Sequence, residues 1–586
     1  MSAPTDLATT ATELPAVGRA APSRAWYLGQ TVGGDFILRD KLGKGGLANV
    51  YLAHQQSLDR LVALKLPHDG GAVGTEGLAL AGLEHDHIVK VFSEVIDQPT
   101  QTRGLCLQYV PGTSLEAVIP KLHANGVPAT GKQFLAAVDQ VSVGQSAFDP
   151  TAVRDRQSLE GADFYPAVCR IGEQIAHALA FTHDRGILHC DIKPGNILLT
   201  RYGRPMLVDF NVAVDTVRAA GDPSGMGGTL RYMSPEQMGV LYDGDDVSAV
   251  DGRTDVYSLG VVLFELATGV LPTADRQAKW DELPRELRAV LRRCLEANPA
   301  DRYPSAAALA DALAATRRIL VARARLPRAG RFGQLVERHP IAMTFVMALA
   351  PEVVGSVLNI AYNALRVKLN DEQMAVFPWV VGIYDACAYL VCLWLAVGIV
   401  IGAGRNRSRA FVAPCAAGLT DTARRGVLRF GRVAITLGLL GWIPGAIVFP
   451  TVIDCAAGPV GAVVYGHFAV SFVLSALVGI VYSFIGVQYV VLRGLYPFLH
   501  HPDTFDRAAA RAEVTRATRL LGPFLVLATL IPLAGAILLV AFAGESITVG
   551  FRLMTVALIG LGMAGVSGLM RCIDEVRALA AVWVEE

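Results

Sequence analysis

Eight residues, His189-Cys190-Asp191-Ile192-Lys193-Pro194-Gly195-Asn196, bring together a histidine, a carboxylate, a lysine and a carboxamide. A little further on, Leu207-Val208-Asp209-Phe210-Asn211 reads as a strand that delivers a second carboxylate. Far upstream lies a glycine cluster, Gly43-Lys44-Gly45-Gly46-Leu47-Ala48-Asn49-Val50. Glycines between two strands let backbone N–H groups approach a polyphosphate with no side chain in the way. Such clusters are also common turns, so their weight depends on what accompanies them. Here Val62-Ala63-Leu64-Lys65 follows, a strand ending in a lysine. Together these residue types suit the handling of phosphate groups.

The elements that must position them are legible. Phe36-Ile-Leu-Arg39 and Ala48-Asn-Val-Tyr-Leu-Ala53 read as strands flanking the glycines, and Leu61 to Leu66 as a compact strand ended by Pro67. Helical patterning dominates from about Tyr165, including an apolar helix ending at His183. The stretch from about 120 to 162 lacks clean periodicity and reads as an insertion between two helices. No repeat of solenoid period is present.

At 586 residues the chain exceeds one core, so two or more domains are expected. Acidic and basic residues balance at 52 each, against a nucleic-acid partner held by bulk charge. A mean hydropathy of +0.41 is high for a soluble enzyme, and the excess lies after His339. The nine cysteines show no C-x-x-C pair and no zinc-type spacing, and read as small buried hydrophobes in a reducing compartment. No signal peptide opens the chain, and residues 1–30 read as a disordered tail.

In unbroken order over about 33–318, these motifs resemble the eukaryotic-type serine/threonine protein kinases, including their bacterial membrane-bound members. Gly228-Thr229-Leu-Arg-Tyr232-Met-Ser234-Pro235-Glu236 resembles the substrate-docking segment that closes the activation loop. Asp255-Val-Tyr-Ser-Leu-Gly260 resembles the buried large-lobe helix, and Arg302 sits where the partner of Glu236 is expected. The resemblance implies an α+β two-lobed kinase fold over 31–318, acting on protein Ser/Thr with ATP and Mg²⁺, with Mn²⁺ as the alternative metal. It implies that Asp191 orients or accepts the proton of the attacking hydroxyl and that Lys193 neutralises the γ-phosphate. Asn196 and Asp209 would be the metal ligands, as hard oxygen donors suited to Mg²⁺. ATP would contact Gly43, Lys44, Gly45, Gly46, Val50 and Ala63. Lys65 would pair with Glu76, and Gln108 and Val110 would read the adenine edge beside Leu107. Thr229 and Glu236 would serve substrate docking. Kinases of this type often autophosphorylate and pair through the small lobe, which adds a homodimer to the implied partners.

Four positions depart from the pattern. Ala48 replaces the last glycine of the loop, Ser234 an alanine, and Asn211 the glycine after Asp-Phe. Asparagine is the next best residue at positive φ, so the loop can still form. Cys190 replaces the arginine that normally pairs with an activation-loop phosphate, and a neutral thiol cannot make that pair. The alternative function is therefore a pseudokinase acting as a membrane scaffold. Against it, Lys65, Asp191, Asn196 and Asp209 are all present.

After an Arg-rich connector at 319–340, residues 341–586 read as an all-α membrane domain. Apolar segments at about 341–362, 379–402, 433–453, 465–492, 522–543 and 547–570 each reach the roughly 20 residues that cross a bilayer as helix. Arginines precede the first span and fill the second-to-third and fourth-to-fifth loops, whereas the intervening loops hold few, chiefly Arg366 and Lys368. The positive-inside pattern places the kinase part and both termini on the cytoplasmic side of the cell membrane. Glu352, Asp385 and His467 interrupt the spans. They suit either an interhelical polar clamp or a sensing or ion-binding pocket.

Overall fold

The computed structural model describes residues 26–44, 48–68, 82–142, 150–210, 229–244, 246–273, 277–367, 369–412, 424–541 and 549–584. Gly45, Gly46, Glu76 and Asn211 lie outside the described residues, and with them the Lys65–Glu76 pairing. The chain divides into two units: Met1–Leu283 with Leu291–Ala310, and Pro284–Val290 with Asp311–Glu586.

In the first unit, strands β1 (Thr31–Val32), β2 (Phe36–Lys44), β3 (Ala48–Gln55), β4 (Arg60–Pro67), β5 (Val91–Asp97) and β6 (Thr102–Gln108) form an antiparallel sheet. Its order is β1-β2-β3-β4-β6-β5. The period-two rule of a pleated strand decides which side chains meet the site. Along β4, Val62, Leu64 and Leu66 join Leu38, Tyr51, Ala53, Val95 and Cys106 in a buried cluster. Ala63 and Lys65 therefore take the other face. Val50 pairs with Lys65 across β3–β4, and Gly43 pairs with Val50 across β2–β3, so Gly43 lies in register beside the lysine. Gly104 lets β6 close on β4, because a Cβ there would fall 2.7 Å from the Lys65 carbonyl oxygen.

A second sheet, β7 (Gly112–Ser114), β8 (Ile197–Thr200) and β9 (Pro205–Leu207), is ordered β7-β8-β9. The stretch without periodicity contains helices: the end of α1 (Leu115–Leu122), then α2 (Gly131–Val141) and α3 (Pro150–Glu160). A Thr130/Gln133 capping box starts α2. Helix α3 has a polar sequence and no strong apolar stripe. Instead Asp155 accepts from Arg170 at 2.6 Å and Arg204 at 2.8 Å, and Arg156 meets Asp139 at 2.6 Å. Partners this distant in sequence cannot be read from local spacing.

Helix α4 (Phe164–His183) runs up to the loop at His189. A short α5 (Pro235–Met238) and α6 (Gly252–Thr268) follow the loop beyond β9. Helix α6 is buried around most of its circumference, as expected of a core helix rather than an amphipathic one. Asp251 caps its start, and Gly269 in the left-handed region (φ +78°) ends it.

The second unit is helical. The helix Ala306–Ala324 continues through Arg318, where the sequence placed the edge of the kinase part. Beyond it come α7 (Pro340–Arg366), α8 (Asp371–Val412), α9 (Phe430–Trp442), α10 (Gly445–Ala457), α11 (Ala462–Val490), α12 (Arg507–Thr518), α13 (Leu521–Ala541) and α14 (Val549–Val584). The third expected span is broken at Ile443-Pro444 into α9 and α10, and α8 carries Arg405, Arg407 and Arg409 on its helical extension.

Among the described residues, five stretches are long and apolar enough to cross a membrane: Pro340–Ala364, Asp371–Val391, Phe430–Ala457, Ala462–Phe498 and Arg507–Ile531. The expected sixth, at 547–570, includes residues outside the described set. Trp379, Ile383, Leu390 and Trp394 all point outward from this unit, Trp394 at 75% exposure. An outward apolar surface of this kind suits lipid rather than water.

Candidate active site

The site is built around a buried carboxylate. Asp255, in the first turn of α6, is fully enclosed. Its carboxylate accepts from His183 Nε2 at 2.8 Å and from the backbone N–H groups of His189 and Cys190, both at 2.9 Å. Burial alone would raise this carboxyl, but the hydrogen bonds and the nearby histidines outweigh it and hold it below its ordinary value. The loop carrying His189 to Asn196 is thereby fastened to the central helix.

His189 sets the next contact. It is buried, and burial draws its pKa down, so the ring is neutral. Its Nε2 lies 3.0 Å from the Val208 carbonyl and its Nδ1 3.4 Å from the Asp191 N–H. A neutral ring meets both only with the proton on Nε2. The ring packs on Phe210 with centroids 4.4 Å apart.

Cys190 sits at φ +58°, a left-handed conformation that costs a non-glycine residue roughly 1–3 kcal/mol. Both ends of the residue are held. Asp255 takes the N–H, and Gln237 Nε2 donates to the carbonyl at 2.9 Å. Burial pushes the thiol far up, with Asp255 and Asp191 adding to the effect, so it is a packed S–H and not a thiolate.

Asp191 Oδ2 accepts from Lys193 Nζ at 2.8 Å and from Asn196 Nδ2 at 2.9 Å. Asn196 Nδ2 also donates to the Asp191 carbonyl at 2.8 Å. With its nitrogen committed to these two acceptors, Asn196 has only its oxygen left to offer a cation. Asp191 Oδ1 is enclosed and has no hydrogen-bond partner among the described residues. It is an acceptor awaiting a donor.

Asp209 enters from the other side. Leu207 N–H donates to His87 O at 2.8 Å, and Val89 N–H donates to Leu207 O at 3.0 Å. Val208 N–H donates to Asn196 O at 3.1 Å. These bonds tie β9 to both the 87–89 segment and the loop of Asn196. Asp209 itself lies at φ +56°, and its Oδ1 is 3.2 Å from Lys65 Nζ. The structure therefore brings Lys65 and Asp209 together, and Asp191, Lys193 and Asn196 together, with the Val208–Asn196 bond joining the two groups.

The remaining candidates take their places around these groups. Gly43 and Val50 lie on the paired strands beside Lys65, Lys44 ends β2, and Ala63 sits two residues before Lys65 on the same face. Gln108 ends β6, its N–H donating to Lys90 O at 2.8 Å, and Val110 follows in the link to β7. Thr229 opens a 3₁₀ turn. Arg302, fully buried, grips Glu236 through two bonds of 2.7 and 2.8 Å, and Thr254 Oγ1 adds a third at 2.8 Å. Burial would raise the Glu236 carboxyl, but the Arg302 bond and the bonds beside it leave it below its ordinary value.

Residues 154–313 match the family described as "Protein kinase domain". Over that stretch the chain is similar to the eukaryotic-type serine/threonine protein kinases. The kinase part is 32% identical over 317 residues to the serine/threonine-protein kinase PksC of Streptomyces coelicolor, covering 49% of this chain and 50% of that protein. It is 29% identical over 302 residues to the serine/threonine-protein kinase PknB of Mycobacterium tuberculosis, covering 46% of this chain and 41% of that one. The match thus spans half or less of the length of these relatives. A solved kinase domain, PknI of Mycobacterium tuberculosis, covers 50% of this chain at 25% identity, with a TM-score of 0.33. A protein kinase domain implies ATP and a divalent metal. The donor set fits them: a carboxylate beside a lysine, a carboxamide oxygen left over, and an enclosed carboxylate oxygen without a donor.

Sequence reasoning missed three residues of the kinase site: His183, His87 and Gln237. His87 fixes the approach to Asp209, its Nδ1 lying 2.9 Å from the Pro205 carbonyl. Gln237 had a signal in Ser234-Pro-Glu-Gln237, a capping-box spacing that the structure confirms. Its second bond, to Cys190, bridges 47 positions and has no local signature.

Proposed function

We propose that the chain is an ATP-dependent serine/threonine protein kinase anchored in the cytoplasmic membrane by its second half, acting in signal transduction. One observation carries the reading: Asp191, Lys193 and Asn196 lie interlocked on one loop, and Asp209 reaches Lys65 from the neighbouring strand. Phosphoryl transfer depends on positioning and charge neutralisation, and each of these groups has a part in it.

Asp191 would accept the hydrogen of a substrate serine or threonine hydroxyl, which would orient the oxygen and draw off its proton. Lys193, held by Asp191 Oδ2, sets a positive charge beside that oxygen. Lys65, now paired with Asp209, would turn to the α- and β-phosphates of ATP, and the resemblance implies that the backbone of Gly43 to Gly46 would cover them. Val50 and Ala63 would flank the nucleotide, and the backbone at Gln108 and Val110 would meet its adenine edge. Asn196 Oδ1 and Asp209 would hold Mg²⁺, which when bound neutralises the phosphate oxygens. Thr229 and the Glu236–Arg302 clamp would shape the segment that receives the protein substrate.

The test uses the full chain in lipid nanodiscs with γ-labelled ATP and Mg²⁺, followed by phosphoamino-acid analysis. Label on serine or threonine supports the proposal, and label on tyrosine alone, or on none, contradicts it. Orientation is read separately from a C-terminal fluorescent or phosphatase fusion. Six spans return the C-terminus to the cytoplasm and make the fluorescent fusion the active one. Activity of the phosphatase fusion would contradict that topology.

A further inference from the structure

The membrane unit holds a partly open pocket of about 70 Å³ between α7, α8 and α9, with one side chain each from α10 and α11 at its wall. A single water needs roughly 10–15 Å³ counted in the same way, so about five would fit. A benzene-sized guest needs a cavity of about 150 Å³, so only the polar end of an organic molecule sits inside and the rest reaches through the open side.

Its polar groups come from two helices. Glu352, Ser356 and Asn359 lie on one face of α7, and Asp385 lies on α8. Trp442 Nε1 donates to Glu352 Oε2 at 2.5 Å, and Ser356 Oγ donates to Asp385 Oδ2 at 2.7 Å. The interhelical clamp is therefore real, and it leaves a cavity beside it. The third span-interrupting residue, His467, pairs with Tyr362 at 2.9 Å and does not line the cavity. Gly438 and Gly479 let α9 and α11 press on the Glu352 carboxylate. A Cβ at Gly479 would fall 2.3 Å from Glu352 Oε2, and one at Gly438 3.1 Å from Oε1.

Two features point to an occupant. First, two carboxylates share the cavity, and no lysine, arginine or histidine lines it among the described residues. Ionisable groups at membrane depth are costly and face a bundle interior or a cavity, where a cationic ligand would pair with them. Second, Asn359 lines the cavity at 4% exposure, and its Nδ2 has no partner among the described residues. Its oxygen is taken by Asn363 Nδ2 at 3.0 Å, so the amide offers a donor. An unpaired buried donor is costly, and an acceptor on a ligand would satisfy it.

The walls choose among cations. Among the described residues no three His, Cys, Asp or Glu side chains converge, which disfavours a metal held by protein alone. Tyr384, Tyr389, Trp442, Phe449 and Phe472 line the same space, and aromatic faces attract organic ammonium groups. We propose that this cavity is a binding site for a small aryl-alkyl ammonium compound that also carries a hydrogen-bond acceptor such as a hydroxyl. The ammonium meets Glu352 and Asp385, the ring meets the aromatic wall, and the hydroxyl oxygen accepts from Asn359. The proposal concerns binding alone and stands whether or not the first unit transfers phosphate.

The test is equilibrium dialysis of tritiated 2-amino-1-phenylethanol against the full chain in nanodiscs, with empty nanodiscs subtracted. Saturable binding at one site per chain is expected. Glu352→Gln and Asp385→Asn should each weaken it at least tenfold while the thermal midpoint stays within a few degrees. Asn359→Leu should weaken this probe several-fold and leave phenethylamine, which lacks the hydroxyl, unchanged. Absence of saturable binding to the natural chain would overturn the proposal. So would unchanged affinity in both charge-removing variants, or equal competition by neutral 1-phenylethanol.

Discussion

Cys190 is the residue where sequence and geometry bear most directly on regulation. An arginine at this position would dock a phosphorylated loop residue, whereas the buried thiol found here cannot. The loop of Asp191 is instead held in place by Asp255 and Gln237 at the two ends of the Cys190 residue. We therefore expect Thr216→Ala and Ser224→Ala, in the segment between Asp209 and Thr229 that the resemblance makes the activation loop, to keep phosphotransfer within about threefold of the natural chain. A collapse rescued only by aspartate at either position would contradict this. Gln237→Ala should leave the Cys190 carbonyl buried and unpaired, a loss of about 1–3 kcal/mol. If Gln237 is a positioning residue for Asp191, kcat falls about tenfold with the KM for ATP little changed, and Gln237→Glu, whose carboxyl when protonated could donate the same bond, recovers part of it at low pH. Equal changes in both parameters would mean only general loosening.

At the scale of elements, α6 and the Ser234–Glu236 segment are joined to the site through two carboxylates, Asp255 and Glu236. Both are held below their ordinary values against the effect of burial. A carboxyl with a depressed folded-state pKa stabilises above its unfolded value, about 3.9 for aspartate and 4.3 for glutamate, and loses that contribution as pH falls through the folded value. The chain should thus be insensitive to these groups at neutral pH and destabilise steeply below about pH 4. Glu236→Gln should flatten that slope in thermal melts followed from pH 6 to pH 3, and an unchanged slope would show that the Arg302 clamp contributes no such linkage. Much at this scale was legible in advance. The strands around Lys65 and the helix ending at His183 were readable because period and flanking prolines encode them locally, and five apolar helices of the second unit because long apolar runs do. Helix α3 was not, since its stability rests on Asp155 meeting Arg170 and Arg204 across the fold. The candidate site followed the same division: residue types on one loop announced themselves, while His183, His87 and Gln237 act through distant partners.

At the scale of the whole molecule, the second unit has its own pH sensitivity, at a different place from the first. His500 stacks on Trp583 at 4.5 Å with Tyr496 and Phe505 edge-on, and neither ring nitrogen has a partner among the described residues. Burial, with the charges of Arg424 and Arg323, drives its pKa well below the usual value. Between that value and about 6.5 the unfolded chain binds a proton that the folded chain refuses. Stability therefore falls as pH drops below about 6.5, by up to roughly 1.4 kcal/mol per pH unit. His500→Phe keeps the stacking and should remove this part of the slope between pH 7.5 and pH 5.5, whereas an identical slope in the variant would place the effect elsewhere.

The central claim is that Asp191 acts on the substrate hydroxyl while other residues hold the nucleotide, and one paired measurement on the full chain in nanodiscs separates those roles. For Asp191→Asn, MgATP affinity should stay within about twofold of the natural chain while the rate of phosphate transfer falls by about 10²–10⁴. Transfer by the variant at the natural rate, or no transfer by the natural chain despite tight MgATP binding, would contradict the account.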